Sequence, residues 1–370
     1  MGITFPTVAK AVSSLLDLKL LEEIGDTSSG PGRPAKRLSL AFENSQVIGV
    51  TLSGSECSVV ASGLNGIIHE DRTLSFPNPA AYDSLLVDIT SRVKQITSRN
   101  GMATLGVGIS VPAIIDYREQ HVVFSANLPW INDKAIGKDL QALLGHECVI
   151  VHDSHALCVS ERLHGKAKSI SNFAMLDLSI GIGLGLVVDG RFLTGASGFA
   201  GELGHISVVH NGELCHCGKR GCLETVASEW ALVEKMSLLL RRPIEIDEIL
   251  DMVRSGNKQV LLELEKMCEY LAIGVAHVIN IVNPEAFYVG GKVFKRYPEL
   301  LDLLVKKTEL LVLSPSFSAC EFAHASGDLS DGTVATVINY LTDSLVPDLD
   351  GYVTSSRAGD ARNQFSSVSL

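Results

Sequence analysis

Three cysteines within eight positions, with a histidine ten residues upstream of the first, constrain this chain more than any other feature of its sequence. The cysteines lie in residues 215–222, CHCGKRGC, and the histidine ends residues 201–205, GELGH. Proteins commonly hold Zn²⁺ in a tetrahedron of three thiolates and one imidazole. We therefore expect a structural zinc ion, bound by His205, Cys215, Cys217 and Cys222.

Two carboxylates flank this predicted metal site. Glu202 lies three residues before His205, and Glu224 lies two residues after Cys222. A site with four ligands needs no further donor. Both acids are therefore available for another role, beside a loop that the metal would hold rigid.

The other five cysteines stand alone in apolar or mixed surroundings, which favours burial as small hydrophobic residues. They are Cys57, Cys148, Cys158, Cys268 and Cys320. His210 and His216 have no partner pattern, and we expect both at the surface. Eight cysteines, three of them in a metal cluster, suit a reducing cytoplasm better than a disulfide framework.

Length and composition indicate a globular protein with ample cores. The chain has 370 residues, of which 46% are hydrophobic and 20% charged, so we expect two or three domains. It has no apolar run of about 18 residues and no signal-peptide pattern, so we expect neither a membrane partner nor secretion. The net charge of −11 excludes a nucleic-acid-binding surface over the whole molecule, but it allows a small DNA-binding module.

The first forty residues have the pattern of such a module. Apolar residues recur at helical spacing, at Val8, Val12, Leu15, Leu16 and Leu20. A glycine-rich basic segment follows at 25–36, and then the alternating RLSL at 37–40. Helix, strand, glycine-rich tip and strand is the order of a winged helix, whose helix enters the major groove. We expect DNA contacts from Lys10 on the helix and from Arg33 and Lys36 on the wing. The alternative is an amphipathic helix followed by a flexible linker.

This segment resembles the end of the DNA-binding domain in regulators of the ROK family (repressor, open reading frame, kinase), which include xylose and N-acetylglucosamine repressors. The motifs are TVxKxVxxL from Thr7, LLEE from Leu20 and GxGRPAK from Gly30. The resemblance implies two further helices before the recognition helix, which this sequence lacks because of a truncation or a late start. We therefore expect residues 1–45 to be a partial winged helix-turn-helix domain.

Strand-like and helical runs alternate through the rest of the chain. The resemblance extends from residue 4 to about 341 and implies an α/β architecture, the two-lobed actin-like, hexokinase-type ATPase fold. We expect a first lobe at 46–148, completed by a C-terminal helix at about 329–342. A second lobe with the zinc loop is expected at 149–328. Residues 343–370 are rich in Ser, Asp, Arg and Gly and predict a mobile tail.

The resemblance also implies a sugar site. In ROK sugar kinases, an aspartate at a strand end takes the proton from the sugar hydroxyl, and VHDSHA at 151–156 gives Asp153 that position. The implied sugar contacts are Asn127, Asp153, Glu202, His205 and Glu224, with His205 linking sugar and zinc. Such groups suit a polyol because each carboxylate accepts hydrogen bonds from two hydroxyls, and they reject ligands that lack them.

The loops that hold ATP in the kinases are degenerate here. The first kinase loop reads DxGGT, where this chain has TLSGS at 51–55, without the acid that serves Mg²⁺. The second reads GTGxG, where this chain has SIGIG at 179–183, and VGGK at 289–292 is mostly kept. The positions concerned are Thr51, Ser53, Gly54, Ser179, Gly181, Gly183, Gly290 and Gly291. Phosphoryl transfer relies on metal ions to neutralise charge, so we expect no ATP or Mg²⁺ cofactor and no enzyme activity.

Together these features predict a sugar-responsive transcriptional regulator of carbohydrate metabolism. A monosaccharide or sugar phosphate would close the lobes of a homodimer or tetramer and change the spacing of two winged helices on operator DNA. One alternative is a ROK-type sugar kinase with an atypical phosphate loop, using Asp153 as its base. The other is a sugar-binding protein without DNA binding.

Overall fold

The computed structural model describes residues 4–24, 37–79, 81–117 and 119–345. At the N-terminus, helix α1 (Phe5–Asp17) carries Pro6 in its first turn, where a missing N–H costs no helical hydrogen bond. An antiparallel hairpin of β1 (Leu21–Ile24) and β2 (Arg37–Leu40) follows. The predicted order of helix, strand and strand is present, and the wing tip at 25–36 lies outside the described residues.

The first lobe is built on a five-stranded sheet in the order β5-β4-β3-β6-β9. Its first three strands pair antiparallel, and β3, β6 and β9 pair in parallel. The elements are β3 (Ser45–Leu52), β4 (Glu56–Ser62), β5 (Ile68–Pro77), α2 (Tyr82–Asn100), β6 (Ala103–Val111), β7 (Ile114–Asp116), β8 (His121–Phe124), α3 (Ile136–Leu144) and β9 (Cys148–His152).

The position of β9 corrects the predicted boundary between residues 148 and 149. That boundary puts β9 at the start of the second lobe, whereas the strand pairs with β6 at the edge of the first sheet. Parallel pairing joins segments far apart in sequence, so the apolar pattern of a strand does not reveal which sheet it enters. The first sheet therefore extends to His152.

The second lobe repeats this plan with a sheet in the order β12-β11-β10-β13-β14. Three strands again pair antiparallel, and β10, β13 and β14 pair in parallel. The elements are α4 (Asp153–Leu163), β10 (Phe173–Leu178), β11 (Ile182–Val188), β12 (Arg191–Phe192), α5 (Glu224–Ala227), α6 (Glu229–Leu240), α7 (Ile246–Arg254), α8 (Lys258–Val282), β13 (Ala286–Gly290), α9 (Lys292–Arg296), α10 (Glu299–Glu309), α11 (Ser314–Ser318), β14 (Glu321–His324) and α12 (Leu329–Leu345).

Each sheet supports its own apolar core. The first contains Ile48, Ile109 and Ile150 from three neighbouring strands, and the second contains Leu176 and Phe287 with the buried face of α8. Central strands buried on both faces read as continuous apolar runs, which is why these strands were recognisable from the sequence. The two-lobed α/β architecture predicted from the sequence is confirmed.

Helices α4 and α12 cross at the centre of the molecule. A side chain at Gly332 would overlap the backbone carbonyl of Ala156, so only glycine allows this approach. Farther along, α12 packs through Val334 and Val337 against Val47 and Val60 of the first sheet. The crossing fixes α4, whose first residue is Asp153. Helix α12 includes residues 343–345 of the predicted tail, and residues 346–370 lie outside the described part of the chain.

The carboxyl ends of the parallel strands face the cleft between the lobes. Asp153 follows β9, Ser179 follows β10, and Gly291 follows β13. In open α/β sheets, ligands bind outside these strand ends.

No described helix combines the length and the apolar composition that a membrane span requires.

Candidate functional site

The four predicted metal ligands converge. Their ligand atoms all lie within 4.8 Å of one another, although 17 residues separate His205 from Cys222. His205 Nδ1 is 3.7 Å from Cys215 Sγ, and Cys217 Sγ is 3.7 Å from Cys222 Sγ. A bridge between Ser207 and Cys222 brings the two segments together.

The donor set fits zinc in chemistry as well as in position. Burial raises the pKa of Cys215 to about 12. A thiol of this kind ionises only when a cation compensates its charge, and Zn²⁺ deprotonates coordinating thiols. His205, Cys215, Cys217 and Cys222 are the residues that would hold the ion.

The two ring nitrogens of His205 face different groups. Its Nδ1 points toward the cysteines, while its Nε2 lies 4.0 Å from Glu202 Oε2. Glu202 and His205 both line the interlobe cleft. A metal on Nδ1 would fix the ring orientation and present the other nitrogen to the cleft.

The five predicted sugar-contacting residues line one cleft. Its volume is about 500 Å³, including the solvent-exposed mouth. The lining also contains apolar and small residues from both lobes. The residues are Pro112, Ala113, Ile114, Phe124, Ser125, Ala126, Asn127, His152, Asp153, Ser179, Gly181, Ile182, Gly183, Glu202, His205 and Glu224.

The side chains of Glu224 and Asn127 both approach the α-carbon of Gly181. Glu224 is 2% exposed, and its Oε2 accepts a hydrogen bond of 3.1 Å from the backbone N–H of Ile182. A β-carbon on Gly181 would overlap this oxygen and would lie 2.7 Å from Asn127 Nδ2. The second glycine loop thus provides the space in which these two side chains meet.

Asp153 is held at the start of α4 by its neighbours. His152 Nδ1 lies 2.9 Å from Asp153 Oδ1 and 2.7 Å from Ser154 Oγ. Burial lowers the pKa of His152, but the charge of Asp153 and their hydrogen bond outweigh it, so the pKa is raised overall. Behind them, Tyr117 OH lies 3.0 Å from His155 Nδ1. Tyr117 and His155 did not stand out in the sequence, because their contact joins residues 38 positions apart.

The degenerate glycine loops meet across the cleft. Thr51, at the position of the magnesium acid, is buried at the end of β3. Ser53 closes its own loop, since its Oγ donates to the carbonyl oxygen of Glu56 at 2.8 Å. A β-carbon on Gly54 would overlap Ile180 Cδ1 and would lie 3.2 Å from two further Ile180 carbons. Ile180 of the second lobe therefore occupies the space beside the first glycine loop.

Two acidic residues on this side were not predicted. Asp177 pairs with Gly183 and with Gly290 in the second sheet. Burial, and then the charge of Asp153, raise the pKa of Asp177 to about 6. Burial and the charge of Asp177 raise the pKa of Glu229 to about 7. An acid within the apolar strand at 173–178 was the available signal for Asp177.

The predicted DNA contacts are only partly described. Lys10 is exposed on α1, whereas Arg33 and Lys36 lie outside the described residues. Glu22, which is 7% exposed, ties the hairpin to the segment that leads into β3. Its carboxylate accepts hydrogen bonds of 2.9–3.1 Å from three consecutive backbone N–H groups, those of Phe42, Glu43 and Asn44.

The predicted surface histidines are exposed, as expected. His210 is solvent-accessible, and His216 packs its ring 4.4 Å from that of Trp230, measured between centroids. The five isolated cysteines are all buried, which confirms their reading as small hydrophobic residues.

Comparison with known proteins agrees with this architecture. The chain is 28% identical to a xylose repressor of Bacillus spizizenii over 81% of its own length and 78% of the relative's. It is 30% identical to a glucokinase of Thermotoga maritima over 74% of its own length and 89% of the relative's. Among solved structures, a ROK family transcriptional regulator homologous to the Escherichia coli MLC protein matches with a TM-score of 0.78. That match has 23% identity and covers 92% of this chain and 89% of the other.

The predicted actin-like, hexokinase-type fold is confirmed by these structural neighbours, which include a ROK hexokinase of Thermus thermophilus. The family model for ROK proteins matches residues 47–336, most of the chain and both lobes. The protein therefore belongs to the ROK family.

Proposed function

We propose that this protein is a sugar-responsive transcriptional regulator whose interlobe cleft binds the effector. The relatives' names support regulation of carbohydrate metabolism. The observation that carries the sugar site is the convergence of Asn127, Asp153, Glu202, His205 and Glu224 in one cleft. Their carboxylate, amide and imidazole groups can bond several hydroxyls of one ring, as polyol recognition requires.

Zinc is the proposed structural cofactor. The ion would join His205 to the cysteine loop, and it would thereby position both Glu202 and the start of α5, where Glu224 lies. Its role is to hold sugar ligands in place, since the four protein ligands leave no open coordination position for chemistry.

DNA binding is assigned to the N-terminal residues. Helix α1 and the β1–β2 hairpin are the described parts of the proposed winged helix, with Lys10 on the helix and Arg33 and Lys36 on the wing. In a homodimer, lobe closure by sugar would change the spacing of two such modules on operator DNA. A sugar acts in this way only by binding the two states with different affinity.

The test uses the chain extended at its N-terminus by the two upstream helices of ROK regulators. Fluorescence anisotropy measures its affinity for operator DNA obtained by in vitro selection, with and without an effector sugar. We expect the sugar to change the affinity by about 5- to 150-fold, a coupling of about 1–3 kcal/mol. Raising the salt concentration should weaken binding steeply, because wing lysines and arginines displace counterions from phosphates.

A Glu224→Gln variant tests whether Glu224 binds the sugar or only maintains the folded structure. It should bind operator normally without sugar and lose most of its sugar response, while Glu234→Gln on the exposed face of α6 should retain both. Loss of sugar-free operator binding in Glu224→Gln would make this residue structural. Failure of the extended chain to bind DNA at low salt would contradict the regulator function.

A sugar kinase is the second candidate, favoured by Asp153 at the cleft and by the glucokinase relative. An ADP-release assay with hexoses and MgATP distinguishes the two functions. We expect no turnover above background, because Thr51 replaces the magnesium acid and Ile180 lies beside the first glycine loop. Turnover that Asp153→Asn abolishes would establish the kinase.

A further inference from the structure

Three carboxylates line the cleft. Glu202 and Glu224 lie beside the proposed zinc ligands, and Asp153 lies at the start of α4. The described lining residues include no lysine or arginine. The imidazole of His152 lies beside Asp153, and its Nδ1 is already engaged with that carboxylate at 2.9 Å.

A further carboxylate lies behind Asp153. A β-carbon on Gly183 would be 3.9 Å from Asp153 Oδ1 and 3.8 Å from Asp177 Cβ, so both acids flank the same glycine. Their proximity has a measurable consequence, since the charge of Asp153 adds to burial in raising the pKa of Asp177 to about 6. Lys295 and His152 oppose this shift without cancelling it.

Glu229 continues the row of acids toward the nucleotide side of the fold. It is 7% exposed at the start of α6, and its Oε1 has no hydrogen-bond partner among the described residues. The backbone N–H groups of Lys292 and Val293 bond this side chain, so these donors at the start of α9 are engaged by the protein itself. Anions often bind free backbone N–H groups at helix starts, but here Glu229 already occupies these two donors.

A phosphate on a cleft-bound sugar would therefore lie among carboxylates with no lysine or arginine in the described lining. Near Asp153 it would also meet the charge of Asp177, which flanks the same glycine. Like charges in a partly desolvated cleft repel more strongly than in water.

We propose that the effector is a neutral, unphosphorylated sugar, and that Asp177 is a specificity-determining residue that excludes sugar phosphates through its position behind Asp153. This inference rests on the proposed sugar-sensing function and narrows its ligand class. Asp177 acts through charge and needs no contact with the sugar.

Isothermal titration calorimetry on the full chain tests the proposal at pH 8, where Asp177 is ionised. The probes are D-xylose, D-glucose and N-acetyl-D-glucosamine, each compared with phosphate esters: xylose 5-phosphate, glucose 1- and 6-phosphate, and N-acetylglucosamine 6-phosphate. We expect at least one free sugar to bind at least 30-fold tighter than its esters. Asp177→Asn should narrow the preference for the free sugar over at least one ester by about fivefold, with little change in the affinity for the free sugar.

Asp189→Asn is the matched control, because it removes the same charge at an exposed turn where the left-handed φ of 50° suits asparagine. It should leave the preference unchanged. An ester that binds wild type as tightly as the free sugar overturns the proposal, whether or not the variant folds. An unchanged preference in folded Asp177→Asn removes Asp177 from the explanation. Binding of neither sugars nor esters contradicts the proposed function itself.

Discussion

Replacing Gly181 with alanine should weaken sugar binding strongly and lower the folding stability moderately. The backbone of Gly181 does not have the positive φ that favours glycine, so we attribute the effect to the added methyl group. That group would overlap Glu224 Oε2 and would lie 2.7 Å from Asn127 Nδ2, which forces both side chains to move. Glu224 is 2% exposed and has little room to do so.

The expected magnitudes follow from the bonds that are lost. Displacing Glu224 breaks its hydrogen bond to the backbone N–H of Ile182, and a buried unpaired donor costs roughly 1–3 kcal/mol of folding stability. Misplacing Asn127 and Glu224 removes one neutral and one charged sugar contact, together about 2–4 kcal/mol. At about 1.4 kcal/mol for each factor of ten, the sugar Kd should rise about 30- to 1000-fold.

Calorimetric titration and thermal unfolding measure the two effects, with Gly145→Ala as the control. Gly145 ends α3 with a φ of 71°, and no atom lies within 4 Å of the added carbon. Strain there should cost about 1–2 kcal/mol of stability and leave the sugar Kd unchanged. A wild-type Kd in folded Gly181→Ala would show that Asn127 and Glu224 do not bind the sugar in this arrangement.

Three further predictions concern the metal, the buried acids and the N-terminal junction. Protein purified without chelator should contain one zinc per chain by elemental analysis, and Cys217→Ser should lose the metal and bind sugar more weakly. Burial and the charge of Asp153 raise the pKa of Asp177 from 3.8 to about 6, so the contribution of Asp177 to stability should fall as pH rises from 4 to 6. In urea unfolding, Asp177→Asn should therefore be more stable than wild type by up to about 3 kcal/mol above pH 6, and no more stable than wild type below pH 4. Glu22→Gln should weaken the response of operator binding to sugar in the extended chain while sugar affinity stays normal, and an unchanged response would exclude Glu22 as a coupling residue.

The elements and the metal cluster could be predicted because their signals are local. The His/Cys cluster shows in the spacing of Cys215, Cys217 and Cys222, and strands such as β3 and β10 show in continuous apolar runs. The parallel edge strand β9 could not be assigned to its sheet, because pairing between β6 and β9 depends on contacts across about forty residues of chain. Propensity and periodicity carry no information about such partners.

The residues that line the cleft could be predicted from the sequence, but the side chains that pack around them could not. Family motifs gave Asn127, Asp153 and Glu224, yet they did not reveal which side chains lie beside the glycine loops. The contact between Ile180 and Gly54 joins residues of different lobes, and the Asp153–Asp177 interaction joins the ends of strands in different sheets. Glu22 illustrates the same limit, since its partners lie about twenty residues farther along the chain.

The departures from kinase chemistry are of three independent kinds. Under the proposed function, Thr51 lacks the charge that a magnesium ion would require, Ile180 fills space beside the first glycine loop, and Asp177 adds negative charge beside Asp153. Metal affinity, steric access and electrostatic repulsion do not compensate one another, so restoring an acid at position 51 leaves the other two obstacles in place. Under the proposed function, these departures would leave the carboxylates of the sugar site in place, because Glu224 is bonded to the backbone N–H of Ile182 and Glu202 lies beside His205. Sugar recognition without phosphoryl transfer is the combination that the proposed sensor requires.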